Sequence, residues 1–95
     1  MNLKTFHTEE KPVQAVKIFP AAEGLVSALQ ITAGNKLKEH VSQVPAFLIC
    51  VIGEVVFENE KGASDKLLAG DYVLIEPMVK HWVTATQDSN LLLIK

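Results

Sequence analysis

The sequence predicts an all-β domain, a small antiparallel barrel, on three observations. Chain breakers recur at strand-length intervals: Gly24, Gly34, Pro45, Gly53, Gly62, Gly70, Pro77 and the Asp88-Ser89-Asn90 cluster. Short segments with turn residues every ~8–12 positions are the signature of a sandwich or barrel. The pieces between these breakers either alternate apolar with polar residues or run as short β-prone stretches. No segment after Gly34 is long enough for an ordinary helix.

Taken in order, the first third is the ambiguous part. Val13 to Phe19 reads as a strand, while Pro20-Ala21-Ala22-Glu23 has the proline and alanines of a short helix start. From Leu25 to Thr32 the period is two, with Leu25, Leu29 and Ile31 on one face and Gln30 and Thr32 on the other. Phe47 to Ile52 is a continuous apolar run, as expected of a strand covered on both sides. Val55 to Glu58 follows Gly53, and Asn59-Glu60-Lys61-Gly62 reads as a hairpin turn. Tyr72 to Ile75, His81 to Thr84 and Leu91 to Ile94 complete the strands.

With 95 residues the chain fits a single domain, 1–95, and a domain this short gains from burying a face in a homodimer. The net charge is −2 and all nine basic residues are scattered lysines. Without arginine there is no bidentate fork for phosphate or guanine, so no nucleic-acid partner is expected. The longest apolar run, Val44 to Ile52, is far too short to span a bilayer, and Met1 to His7 has no apolar leader core. Neither membrane association nor export is expected, which leaves the cytoplasm. A lone Cys50 inside that run reads as a small buried hydrophobe.

The candidate chemistry lies in histidine. His7 falls in an N-terminal segment and is the weakest of the three. Each of His40 and His81 sits in a strand that a glycine turn introduces. By alternation His40 shares its side with Lys38 and Ser42, and His81 shares its side with Val83 and Ala85. Strands from separate hairpins of one small barrel can aim such side chains at a common interior. Trp82 then points away from His81, toward an outer face or an interface.

These residues resemble the cupin family. Its first motif runs Gly, five residues, His, one, His, three or four, Glu, six, Gly; here that register, spanning 34–53, gives Gly34, His40, Ser42, Ala46 and Gly53. The second runs Gly, five residues, Pro, one, Gly, two, His, three, Asn. It falls over 70–85 on Gly70, Glu76, Met78, His81 and Ala85, with Pro77 one position late. The resemblance implies a cupin-type double-stranded β-helix, an antiparallel jelly-roll barrel open at one end and often a homodimer. It also implies a divalent metal on two histidines and a glutamate of the first motif and the histidine of the second. Of that set this chain keeps His40 and His81; Ser42 and Ala46 replace the other two.

Two functions follow as expectations. One is a small-molecule-binding cup in which His40, Ser42 and His81 form hydrogen bonds and Met78 narrows the mouth. The other is a metal-dependent enzyme of dioxygenase, isomerase or hydrolase type. There iron, manganese, nickel or zinc is held weakly on His40 and His81, with water and substrate completing its shell. Glu76, in the turn before His81, is the carboxylate expected nearest the rim. Against both stands a pair of neutral core histidines bonded to backbone.

Overall fold

The computed structural model describes residues 1–6, 8–10, 12, 15, 16 and 18–95. Eight strands follow a short 3₁₀ turn at Leu3–Phe6: β1 (Val26–Ile31), β2 (Lys36–His40), β3 (Ala46–Ile52), β4 (Val55–Asn59), β5 (Ser64–Leu67), β6 (Tyr72–Ile75), β7 (His81–Ala85) and β8 (Ser89–Ile94). They form two antiparallel four-stranded sheets, ordered β1-β8-β3-β6 and β2-β7-β4-β5. Their inner faces close on one core of Leu48, Cys50, Val55, Phe57, Leu67, Val73, Val83, Leu91 and their neighbours. Cys50 is fully buried in it, and burial raises its thiol pKa, as suits a structural thiol.

The run from Phe47 to Ile49 is buried on both faces for a reason visible in the N-terminal segment. Leu3, Phe6, Ile18 and Phe19 lie over the outer side of the first sheet against Phe47, Ile49 and Tyr72. Tyr72 stacks between Phe47 at 4.7 Å and Phe6 at 5.6 Å. The Tyr72 N–H donates to the Met1 carbonyl at 2.9 Å, which holds the segment to the sheet edge.

Two expectations for the first third need correction. Of the strand expected from Val13 to Phe19, Val13, Gln14 and Lys17 lie outside the described residues, as does His7. Ala15, Val16, Ile18 and Phe19 are in no strand; Ile18 and Phe19 serve instead as apolar cover. Pro20 follows them without an N–H to offer a ladder. Pro20 to Glu23 forms a bend rather than a helix, too few residues to repay helix nucleation before Gly24 turns the chain. A strand was also missed: β5 is short and mostly exposed, with only Leu67 fully buried, so Ser64-Asp65-Lys66 carries no apolar signal.

Because neighbouring strands are antiparallel, the barrel has two distinct ends. One gathers the end of β3, the starts of β4 and β8, and the glycine turn between them. There Gly53 adopts φ 102°, and a Cβ on it would meet the Ser89 hydroxyl and the Asp88 carbonyl. The other end gathers the ends of β2, β4, β6 and β8 with the starts of β3 and β7. Both histidines of interest lie at that end.

Candidate functional site

His81 opens β7, where burial alternates strictly: His81, Val83 and Ala85 point inward, Trp82 and Thr84 outward. The expected sharing of a face by these three residues is met. Trp82 is half-buried on the outside with the Lys36 ammonium 5.4 Å from its ring centre. Inside, the His81 ring lies 5.8 Å from that of Phe57, and the residue is 2% exposed.

His40 reaches the same place by a route that simple alternation does not give. In β2, Leu37 pairs with Val83 and His40 pairs with His81, so Lys38 and Glu39 together oppose Trp82. This bulge inserts one residue and reverses the side-chain parity beyond it. His40 therefore shares the inner face with Leu37, not with Lys38 as alternation predicts. The strand ends at His40, so Ser42 is not placed by alternation either. Ser42 is buried in the following loop, where its hydroxyl donates to the Val44 carbonyl at 2.7 Å. Its own carbonyl accepts the Met78 N–H at 2.8 Å, joining the two loops that frame the mouth. Met78 is 65% exposed and holds a left-handed backbone, φ 63°.

The two imidazoles meet edge to face, ring centres 4.2 Å apart, with Nε2 to Nε2 at 3.0 Å. The far nitrogens are already committed. Nδ1 of His40 lies 2.9 Å from the Lys38 carbonyl and Nδ1 of His81 lies 3.1 Å from that of Val79. Carbonyl oxygens only accept, so both Nδ1 atoms are assigned as the N–H donors. Each neutral ring then turns a lone pair toward the other, and their contact is a hydrogen bond only when one Nε2 carries hydrogen. Burial lowers the His81 pKa, and the charges of His40 and Lys95 lower it further against the opposing bond to Val79. The expected carboxylate is elsewhere: Glu76 is exposed and paired with Lys61 at 2.7 Å.

The donor set decides whether a cupin metal fits. The two Nε2 atoms, 3.0 Å apart, offer at most two ligands to a cation. The rest of the set is missing. Ala46 offers no donor, the Ser42 hydroxyl is turned to Val44, and among the described residues no group of three metal-ligating side chains assembles. A resident catalytic metal normally keeps three protein ligands, so these residues do not fit one.

A two-sheet antiparallel barrel with a histidine-lined open end defines the class. No protein-family model matches the chain, and no curated protein does. Solved structures are similar to it. A cupin-2 domain protein from Shewanella frigidimarina matches with TM-score 0.67 at 14% identity, over 97% of this chain and 88% of that one. A cupin superfamily protein from Desulfitobacterium hafniense gives 0.66 at 15%, over 93% and 92%. The Drosophila melanogaster CENP-C cupin domain gives 0.66 at 21%, over 73% and 58%, so this chain spans less than two thirds of that relative. The likeness establishes the fold: the chain has the cupin-type jelly-roll fold.

Proposed function

We propose that this protein is a small-molecule-binding cupin whose cup holds no resident metal. The observation that carries the reading is the convergence of His40 and His81 from different strands onto one contact at the open end. One ring is buried and the other exposed, so ligand meets the pair from the His40 side. The His nitrogens supply hydrogen bonds, and Met78, joined to the Ser42 loop, borders the entrance. Ser42 acts through its carbonyl bond to Met78 rather than by touching ligand.

The test is a titration of a metabolite library against ¹⁵N-labelled protein, read on the imidazole signals of both rings. A ligand that moves both rings in the parent and is lost in His81→Ala supports the reading. Retention of every ligand by that variant overturns it. Elemental analysis of protein purified without chelator is the second arm. A full equivalent of iron, manganese, nickel or zinc would instead make it a metal-dependent cupin enzyme.

The partner we propose is a second copy. The outer face of β1-β8-β3-β6 carries Val26, Ile94, Phe47 and Leu74 in one cross-strand row. The N-terminal segment covers its middle, and Val26 and Leu74 remain 59% and 54% exposed at its ends. Apolar rows of this kind are buried by homodimers. Sedimentation is expected to give a dimer that Leu74→Glu dissociates, and a monomeric parent would end the assignment.

A further inference from the structure

Beyond the histidines, one lysine of β8's inward series belongs to the same end of the barrel. In β8, Ser89 and Leu91 are buried, and Leu93 packs on the interior core. Lys95 is the next residue of that inward series. It is fixed there by the backbone: Lys95 and Leu25 exchange N–H to carbonyl bonds of 3.0 Å each, extending the β1–β8 ladder by one pair. Since β8 runs toward the open end, this half-buried lysine arrives beside the mouth.

Three lysines have acidic partners: Lys61 with Glu76, Lys66 with Glu54, Lys80 with Glu39. Among the described residues Lys95 has none. Ala46 stands where a cupin carboxylate would. Asp65 pairs with Phe57 and so shares the inner parity, but it is exposed on the outermost strand. The Lys95 charge is felt at His81, where it disfavours protonation of the ring.

We propose that Lys95 is a ligand-binding residue and that the cup selects a small carboxylate, held by the Lys95 ammonium at the mouth beside His40 and His81. This rests on the small-molecule reading of the cup. A single ammonium matches a monoanion, because the ring Nδ1–H groups are spent on backbone carbonyls; a phosphate dianion calls for more donors or an arginine fork. Val41 and Met78, both exposed at the rim, offer apolar contact to the body of the acid.

The probes are acetate and its neutral isostere acetamide, titrated into ¹⁵N-labelled full chain with sodium chloride at matched ionic strength. Readouts are the His40 and His81 ring signals and the Lys95 amide. Acetate is expected to shift them saturably, at least about tenfold more tightly than acetamide, and Lys95→Gln to weaken acetate by about tenfold. Lys95→Arg is expected to retain binding. Equal response to acetate and acetamide, the same shifts from chloride, tighter binding of inorganic phosphate, or an unaffected Lys95→Gln would each overturn the proposal. If acetate is silent while neutral library compounds still move the rings, the carboxylate class falls and the binding cup stands. Rings that respond to no compound remove both.

Discussion

The two ends of this barrel are built on opposite terms. At the closed end the left-handed residue is Gly53, and every polar group nearby is engaged. The Ser89 hydroxyl, fully buried, accepts the Glu54 N–H at 3.0 Å and donates to the Gln87 carbonyl at 2.8 Å. At the open end the left-handed residue is Met78, a side chain for which that backbone is uphill, and two imidazoles meet through their Nε2 atoms at 3.0 Å. The closed end uses the one residue type its backbone favours; the mouth retains backbone strain at Met78. Strain of this kind collects where a protein binds something.

The largest expected effect breaks the closed end. Gly53→Ala combines a disfavoured φ with a Cβ driven onto backbone and hydroxyl atoms, Ser89 Cα among them at 2.7 Å. The loss should be about 3 kcal/mol, or roughly 12–24 °C in thermal midpoint for a domain of this size. A drop of a degree or two by calorimetry would mean that the turn yields easily and the contrast between the ends is overstated.

The opposite sign is expected at the mouth. Met78→Gly relieves the left-handed penalty and removes a mostly exposed side chain, so stability should rise by about 0.5–1 kcal/mol. Ligand affinity should fall in the same variant. A protein that loses stability here would show that Met78 is structural filler and its backbone unstrained.

Most of the architecture was legible because glycine spacing and two-residue periodicity are local signals. The inward set of β7 and the buried run of β3 follow from residue type alone. What escaped was non-local. The strand expected at Val13–Phe19 has the right composition, yet its apolar residues are used as cover for β3, a role set by the sheet beneath. The bulge at Lys38–Glu39, not alternation, turns His40 inward. β2 stops short of Ser42, so alternation does not set its direction. Lys95 was readable: continuing Ser89, Leu91 and Leu93 by two reaches it.

Acidification should distinguish the two histidine-bearing strands by a smaller effect. Burial lowers the His81 pKa below its usual value of about 6.5. The unfolded chain then takes up that proton more readily than the folded one. The contribution is fully present above the unfolded value and is lost as pH falls through the folded one. Denaturant midpoints should decline below about pH 6.5, and His81→Leu should flatten that part of the curve. An unchanged slope in His81→Leu would assign the acid sensitivity to other groups.

The smallest expected effect concerns the carboxylate that sequence position brings nearest the site. Glu76 precedes the turn that carries Met78 and His81, yet it is bound to Lys61 across an exposed gap of 2.7 Å, with both side chains about 60% exposed. Solvent screens such a pair, and an ion held at that distance by a neighbour has no reason to turn inward. Glu76→Gln should therefore leave both the thermal midpoint and the ligand titration unchanged. A fall in affinity would bring Glu76 into the cup and give the two histidines the acidic partner that the fold otherwise denies them.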